Sequence, residues 1–395
     1  MQYSKNLGVH LKRIFEEKFT KTPQFVFSPG RINLIGEHTD YNDGFVMPAA
    51  IDKGIYIAFA KNENNRIRLF SYDFDETVEV ELKKLEAVST GWANYILGVV
   101  NEIQKIKPLS SGFDMVFGGD IPIGSGLSSS AALECGVGVA LNNLFNVKLQ
   151  KIQIARIGQA AEHNFVGVRC GIMDQFASIM GKKNHTIQLD CRSLEYEYFP
   201  SNFEEYQILL CNSKVKHSLA ESSYNQRREE CEKGVQILKE KYPLIESLRD
   251  VTLEMLDILR HRLSNTLYNR CSYIIEENQR VVEASKLLKQ NKLKQLGALL
   301  FESHQGLSKK YEVSCEELDF LVDLVKNNSA VLGSRMMGGG FGGCTINLVE
   351  RSAKENLVKE LTREYDKKYN IALECYEVEL ENGTHLINHE FYGSI

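Results

Sequence analysis

A short stretch near the N-terminus joins an apolar segment to an unusual concentration of polar side chains. In SPGRINLIGEHTDYNDG, residues 28–44, a probable strand runs directly into Glu37, His38 and Asp40. Two carboxylates and an imidazole at a strand end either form a solvated turn or line a polar pocket that handles protons or hydroxyl groups. The stretch alone leaves both interpretations open.

A glycine- and serine-rich turn has the chemistry of a phosphate cradle. In IPIGSGLSSSAALE, residues 121–134, Gly124 and Gly126 allow the backbone to curl tightly and the serines supply hydroxyl groups. The following AALE begins a helix whose free N–H groups point back at the turn. No GK[ST] follows, so it is not a Walker A loop. The alternative is a surface turn whose serines cap the helix.

Two further acids lie in surroundings that call for an explanation. Asp174, in RCGIMDQFASIMG, has apolar neighbours, so its carboxylate is expected to be paired in a structural salt bridge or to work in chemistry. Glu162 ends the helix IQIARIGQAAEH and is either a surface acid or a metal ligand. The adjacent His163 is interpreted as a packed histidine.

A second glycine cluster, GSRMMGGGFGGCTINLV, contains a GxGxxG pattern at Gly338, Gly340 and Gly343. A dinucleotide-binding fingerprint must open a helix, whereas these glycines lead into the strand-like CTINLV. We therefore interpret the cluster as a place where the backbone closely approaches another backbone or a ligand.

The remaining sequence predicts the elements that position these residues. A helix is expected over 4–19, strands dominate 25–120, and helices follow the glycine-serine turn and cover 150–164 and the segment around Asp174. A helical region is expected over 219–326, and strands flank one more helix near the C-terminus. This irregular order favours an α+β fold. At 395 residues two domains are expected, 1–183 and 184–395.

Composition excludes several classes of function. A net charge of −5 and a pI near 6.1 give no support to binding of nucleic acid or anionic membranes. The nine cysteines include no CxxC pair, which argues against a disulfide framework or zinc ribbon and for a reducing compartment. No apolar run is long enough for a membrane span or a signal peptide. A cytoplasmic, monomeric protein is expected.

Three motifs together resemble a known family. PGRINLIGEHTDYNDG, IPIGSGLSSSAAL and GSRMMGGGFGGC are similar, in order and separation, to the three signature motifs of the GHMP small-molecule kinases. The similarity continues through EHNFVGVRCGIMDQF, SSYNQRREECE, ENQRVVEASKLL and ESHQGLSKKYEVSCEELDFLV. The first motif most resembles the members that phosphorylate galactose. One departure is Met337, where many relatives carry threonine.

The resemblance implies a fold and a set of site residues. It implies two α+β domains with the active site in the cleft between them, ATP as co-substrate and Mg²⁺ as the metal. By the resemblance, Asp174 is the catalytic base and Arg31 the cation beside it. The residues implied in sugar binding are Glu37, His38, Thr39, Asp40, Asp174 and Tyr224. Those implied near ATP are Ser71, Gly124, Ser125, Gly126, Leu127, Ser128, Ser129 and Ser130, and those implied in binding Mg²⁺ are Ser130 and Glu162.

The expected reaction is ATP- and Mg²⁺-dependent phosphorylation of α-D-galactose at its C1 hydroxyl, the entry step of galactose catabolism. Arg31 is expected to favour the ionised form of Asp174 or to stabilise the transferring phosphoryl group. One alternative is a kinase for another sugar, such as N-acetylgalactosamine or arabinose. Another is a sugar sensor that binds galactose and ATP without catalysis, although such relatives lose parts of the phosphate loop, which is complete here.

Overall fold

The structure, a computed structural model, describes residues 2–122, 124–201, 203–216 and 220–387. Its helices are α1 (Gln2–Phe19), α2 (Gly91–Ile106), α3 (Ser129–Phe145), α4 (Lys151–Ala161), α5 (Met173–Met180), α6 (Ala220–Lys239), α7 (Leu253–Ile258), α8 (Asn265–Lys289), α9 (Leu293–Gly306), α10 (Glu316–Val325) and α11 (Lys354–Tyr369). Within the described ranges, no helix is long and apolar enough to cross a bilayer.

The strands form three sheets among the described residues. They are β1 (Gln24–Asn33), β2 (Phe45–Val46), β3 (Pro48–Lys61), β4 (Arg66–Ser71), β5 (Glu76–Glu81), β6 (Phe113–Gly119), β7 (His185–Asp190), β8 (Tyr196–Pro200), β9 (Tyr206–Lys216), β10 (Val331–Met336), β11 (Gly342–Glu350), β12 (Glu374–Val378) and β13 (His385–Ile387). Their orders are β13-β1-β3-β6-β4-β5, β10-β11-β9-β12 and β2-β7-β8.

Helices cover both faces of the first sheet, because its strands carry apolar side chains on both faces. Val26 of β1 packs in a core with α2 and α3, whereas Phe25 and Phe27 pack against α1. Successive side chains of a strand point to opposite faces, so one strand serves both cores. Most pairs in this sheet are antiparallel, and β4 with β6 is parallel.

The second sheet follows the same rule. In β9, Ile208 and Leu210 face α8 and α9, whereas Leu209 and Cys211 face α10 and α11. The core with Ile208 also contains Ile32 of β1 and Leu127 of the glycine-serine turn. Apolar residues adjoining the polar motifs therefore share one core, which holds the motifs in register.

Most of the predicted elements are confirmed, but α2 (Gly91–Ile106) lies within the segment 25–120 for which only strands were expected, and two elements differ in extent. The helix expected over 150–164 ends as an α-helix at Ala161 and continues as a wider π-helical turn, Glu162–Val166. The strand expected in YNIALECYEVEL is limited to β12. The domain boundary near residue 183 stays a prediction. Two pairings join strands from either side of it, β2 with β7 and β13 with β1.

Candidate active site

One cavity of about 320 Å³ brings together half of the predicted site residues. They reach it from the end of β1, the segment after β1, the first turn of α3, the π-helical turn after α4, α5 and α6. The predicted residues in its wall are Arg31, Glu37, His38, Asp40, Ser130, Glu162, Asp174 and Tyr224. The polar-pocket interpretation of the first motif is therefore confirmed, and the solvated-turn interpretation is wrong.

Arg31 and Asp174 form the best-defined polar contact in this cavity. Nε and Nη2 of Arg31 donate to Oδ1 and Oδ2 of Asp174, each over 2.8 Å. Burial would lower the pKa of the Arg31 guanidinium, but the charge and hydrogen bonds of Asp174 outweigh burial and raise that pKa. The Asp174 side chain remains 28% exposed. Asp174 is thus both paired, as one interpretation expected, and open to a ligand.

The glycine-serine turn is tied to this ion pair. Arg31 donates from its backbone N–H to the Leu127 carbonyl over 3.0 Å and from Nη1 to the Gly126 carbonyl. The hydroxyl of Ser128 donates to Oδ2 of Asp174. Ser128 precedes α3 but makes no capping hydrogen bond with its side chain, so the capping interpretation is wrong for this serine. The turn is part of the cavity's construction.

The backbone of the turn needs the conformations that glycine provides. Gly124 and Gly126 both have φ of 74°, and both are exposed. Ser129 is exposed at the first position of α3, while Ser125 and Leu127 are buried. The Ser125 hydroxyl donates to the Pro122 carbonyl over 2.6 Å. Within the turn, Ser125 therefore holds the backbone in shape, whereas Ser129 faces outward.

The third motif lies directly against the turn. Gly338 has φ of 82°, and a Cβ added to it would lie 3.4 Å from the Gly126 carbonyl oxygen. The loop then enters β11 rather than a helix. A Cβ on Gly339 would meet the ring of Tyr224 at 3.4 Å. The close backbone approach expected for this motif is confirmed.

Glu37 is fixed by the third motif. Its Oε1 accepts from the Gly338 N–H over 2.8 Å and from Nη1 of Arg335 over 3.1 Å. Arg335, in β10, is fully buried and also donates from Nε to the Leu34 carbonyl. A buried carboxylate needs such donors, because an unpaired charge in the interior is costly. The first and third motifs are joined by this ion pair.

The segment after β1 places two titratable groups in the cavity wall. Burial lowers the pKa of His38 to about 3, so its imidazole is neutral. Burial and then the charge of Asp174 raise the pKa of Asp40 to about 7. Thr39 is buried behind the wall, and its hydroxyl lies 2.9 Å from the Gly36 carbonyl oxygen. Thr39 holds the turn, unlike its neighbours, which face the cavity.

Ser130 and Glu162 form an oxygen pair at another part of the wall. Both side chains line the cavity, and burial followed by the charge of Asp174 raises the pKa of Glu162 to about 7, against the opposing effect of the nearby Ser130 hydroxyl. Glu162 is only 6% exposed, so the surface-acid interpretation is wrong. Within the described ranges, no group of three or more His, Cys, Asp or Glu side chains is placed to hold a metal ion. A hydroxyl and a carboxylate fit an ion that takes its other ligands from water and phosphate, as Mg²⁺ does.

Family models match three segments of the chain. Residues 94–182 match the GHMP kinases N terminal domain, and residues 284–367 match the GHMP kinases C terminal domain. Residues 13–61, which include the polar segment after β1, match the galactokinase galactose-binding signature.

A curated relative extends the match over nearly the whole chain. The galactokinase of Thermotoga maritima is 44% identical over 362 residues, which span 92% of this chain and 99% of the relative. This chain belongs to the galactokinase family of GHMP kinases. Galactokinase-family membership carries with it the α+β GHMP kinase fold.

Solved structures agree with the galactokinase assignment. The structure of Lactococcus lactis galactokinase complexed with galactose matches with a TM-score of 0.92 and 35% identity, covering 96% of this chain and 99% of that one. The mevalonate kinase of Methanococcus jannaschii matches in fold, with a TM-score of 0.65 and 20% identity over 91% of this chain and 99% of that one.

Several residues of this galactokinase-family site lie outside the sequence prediction. Arg335 is the main one; it lies behind the wall and pairs with Glu37, and the available signal was a single arginine between apolar strand residues in GSRMMG. Cys170, Gly171 and Phe341 line the cavity itself. These three residues lie next to the motifs in the sequence, and this proximity was the signal that could have placed them in the site. His163 is half-buried, with Nε2 2.7 Å from the Cys170 carbonyl oxygen, and is packed as expected.

Thr39 and residues 124–129 do not line the cavity themselves, and Ser71 and Met337 also lie away from its wall. Ser71 ends β4, is fully buried, and its hydroxyl has no hydrogen-bond partner among the described residues. Met337, the departure from many galactokinase relatives, is buried in the core that contains Leu127 and Cys344. Its side chain therefore packs beneath the two glycine loops, where a threonine would bring a hydroxyl into an apolar core.

Proposed function

We propose that this chain phosphorylates α-D-galactose at the C1 hydroxyl, with ATP as the phosphoryl donor and galactose 1-phosphate and ADP as products. This is the first step of galactose catabolism. The observation that carries the proposal is the bidentate contact between Arg31 and Asp174. It lies in a cavity lined by residues of the galactose-binding signature and by Ser130 at the start of α3, and the glycine-serine turn contacts both partners through the Gly126 carbonyl and the Ser128 hydroxyl.

The sugar is held by the residues after β1 and by Tyr224 of α6. Glu37 and Asp40 offer carboxylate oxygens to sugar hydroxyls, and His38 offers a neutral ring nitrogen. A wrong stereoisomer would leave one of these buried polar groups unpaired, which is the strongest source of discrimination available to such a site. Thr39 contributes by holding the turn that presents its neighbours.

The phosphates of ATP bind at residues 124–130, where α3 begins. The N-terminus of a helix carries free N–H groups and a positive dipole end, both of which favour phosphate. The exposed backbone at Gly124 and Gly126 lets the phosphates approach closely. Ser71 remains a predicted neighbour of the nucleotide.

Ser130 and Glu162 would hold Mg²⁺. When bound, the ion neutralises phosphate charge and supports the leaving group. Around it, Gln175 positions Glu162 by donating from Nε2 to Oε1 over 3.3 Å, and the same nitrogen donates to Glu134 over 2.9 Å.

Asp174 receives the proton of the C1 hydroxyl as the oxygen attacks the γ-phosphorus. The new bond joins O1 to phosphorus, the bond to the β-phosphate oxygen breaks, and ADP leaves. Arg31 holds both oxygens of Asp174 and adds positive charge beside the transferring group. Because phosphoryl transfer is loose, fixing the hydroxyl in line contributes alongside proton removal.

A coupled assay of ADP release across a panel of free sugars, with and without Mg²⁺, tests the proposal. We expect a clear preference for galactose over N-acetylgalactosamine and arabinose, and loss of activity when EDTA removes the metal. Preference for another sugar, or binding of galactose and ATP without ADP release, would overturn the assignment. The cytoplasmic location, the monomeric state and the division at residue 183 stay predictions.

A further inference from the structure

Two consecutive residues of α9, Ser303 and His304, support the first and third motifs from behind the cavity. Ser303 is fully buried and His304 is 7% exposed, and neither lines the cavity wall. His304 contacts the third motif directly, whereas Ser303 reaches the first motif through Glu277 of α8. Both routes end beside Glu37.

The hydrogen bond of His304 has a donor that chemistry fixes. The backbone N–H of Met336, in β10, donates to Nδ1 of His304 over 3.2 Å. Among the described residues β10 ends its sheet, so the imidazole supplies an acceptor that a further strand would otherwise offer. A backbone N–H can only donate, so Nδ1 accepts and carries no proton. The ring proton is therefore on Nε2, which lies 3.2 Å from Oδ1 of Asp319 in α10.

The backbone of Met336 leads to Glu37 through Arg335. Nη1 of Arg335 donates to the Met336 carbonyl over 2.6 Å and to Oε1 of Glu37 over 3.1 Å. Two positions after Met336, the Gly338 N–H donates to the same Oε1 over 2.8 Å. A shift of the Met336 backbone would therefore displace both donors that hold Glu37.

Ser303 acts on the other side of Glu37. Its hydroxyl donates to Oε1 of Glu277 over 2.7 Å, and the same oxygen accepts from the Gly36 N–H over 2.9 Å. Nε of Arg280 donates to the second carboxylate oxygen of Glu277 over 2.6 Å. Glu277 is fully buried, so its charge needs these donors. Because Gly36 directly precedes Glu37, Ser303 and Glu277 fix the backbone from which the Glu37 side chain starts.

The two routes leave one oxygen of Glu37 for a ligand. Among the described residues, the hydrogen bonds of the Glu37 carboxylate all fall on Oε1. Glu37 lines the cavity, although the residue is only 1% exposed. Oε2 is therefore the oxygen that a sugar hydroxyl can reach, and its position depends on how Oε1 and the backbone are held.

We propose that Ser303 and His304 are positioning residues that fix Glu37 from both sides, with His304 held as the tautomer protonated at Nε2, so that Oε2 of Glu37 meets a sugar hydroxyl in one place. The identity of the sugar rests on the proposed function. The hydrogen bond between Met336 and His304 does not depend on it. Neither residue touches the ligand, so the effect on the reaction passes through Glu37.

Nuclear magnetic resonance of the ¹⁵N-labelled protein tests the hydrogen bond directly, with His304→Asn used to assign the ring signals. In the unchanged protein we expect Nδ1 of His304 to show the shift of an unprotonated nitrogen and Nε2 that of a protonated one. The Met336 amide proton should exchange slowly with solvent. A proton on Nδ1, or fast exchange at Met336, would overturn the proposal.

Two substitutions separate the roles of the two ring nitrogens. Asn places an oxygen near the position of Nδ1 and can accept from Met336, whereas Gln places its terminal group near the position of Nε2 and cannot. His304→Gln should raise the KM for galactose by about 5- to 30-fold, the equivalent of one hydrogen bond, with kcat nearly unchanged. His304→Asn should keep a KM close to that of the unchanged protein. A loss of folded protein alone would lower kcat without raising KM.

His261→Gln, at an exposed histidine, is the matched control and should leave both constants unchanged. Ser303→Ala should also raise the KM for galactose, and it carries the kinetic test if His304→Gln fails to fold. Equal KM values in His304→Gln and His304→Asn, or an unchanged KM in Ser303→Ala, would overturn the positioning role. If the protein phosphorylates a different sugar, the proposed function fails, and the KM for that sugar takes the place of the KM for galactose.

Discussion

Arg31 and Asp174, which are 143 positions apart in the chain, meet in a bidentate ion pair with both nitrogen–oxygen distances at 2.8 Å. The pair joins the end of β1 to the first turn of α5, and the Ser128 hydroxyl donates to the same carboxylate. Three donors therefore fix the orientation of Asp174 before any ligand binds. A carboxylate that must accept a proton from a hydroxyl group in one geometry requires such preorganisation.

Asp174→Asn keeps the size of the side chain but removes the negative charge that accepts the proton. We expect turnover to fall by about 10²- to 10⁴-fold, the range for a positioned base, with the fold retained. Steady-state kinetics and circular dichroism measure the two effects. The exposed Asp323 offers a control, since Asp323→Asn should keep normal turnover. Near-normal turnover in Asp174→Asn would remove this carboxylate from the mechanism.

Arg31→Lys keeps the positive charge but loses the planar fork that binds both oxygens of Asp174. We expect turnover to fall by about 10- to 100-fold, because an ammonium group cannot reproduce the bidentate geometry. Arg68→Lys is the matched control, since Arg68 makes a similar bidentate pair with Asp114 at 2.7 and 2.9 Å outside the cavity wall. Equal losses of turnover in the two variants would show that the effect is not local to the site.

The third motif allows a comparison of two neighbouring glycines. In Gly340→Ala, φ of 82° is unfavourable and the new Cβ would lie 2.1 Å from the Val313 carbonyl oxygen. We expect the free energy of unfolding to fall by about 2 kcal/mol or more. In Gly339→Ala the Cβ lies 3.4 Å from Tyr224, so stability should change little while the KM for galactose rises. Denaturant unfolding and kinetics separate the two effects, and equal destabilisation would contradict this geometry.

Asp40 should make the ligand-free protein less stable as the pH rises. Burial, followed by the charge of Asp174, raises the pKa of Asp40 from 3.8 to about 7 in the folded protein. Between about pH 4 and 7 the unfolded chain therefore loses a proton that the folded protein retains, which lowers the free energy of unfolding.

Asp40→Asn removes this titration. The stability of the variant relative to the unchanged protein should increase from pH 4 to pH 7 by up to about 4 kcal/mol, because each pH unit between the two pKa values is worth about 1.4 kcal/mol. Urea unfolding at several pH values measures the difference, and Asp323→Asn serves again as the control. A difference that stays constant over this range would show that Asp40 ionises normally.

The sequence predicted the turns and helices of the site better than its contacts. Glycines followed by an alanine-rich segment were sufficient to predict the turn at 124–128 and the start of α3. The contact of Arg31 with Asp174 came from the family resemblance, because local spacing says nothing about partners so far apart. Ser125 and Thr39 belong to the motifs yet hold the backbone, since neighbouring side chains on a turn point in different directions.

Arg335 shows why the remaining contacts were missed. It is charged, but it lies within a strand and is fully buried, and its partner Glu37 is almost 300 positions earlier in the sequence. A charged residue in an apolar pattern signals that a partner exists without indicating which one. Only the tertiary structure identifies Glu37 as that partner.

The regiochemistry of the product tests the central claim most directly. Galactose labelled with ¹³C at C1, incubated with ATP, Mg²⁺ and the protein, should give a C1 carbon signal split by coupling to phosphorus, together with one ADP for each galactose consumed. Absence of that coupling while ADP is released, or phosphate found on another carbon, would show that the cavity does not present the C1 hydroxyl to Asp174 and the phosphate turn.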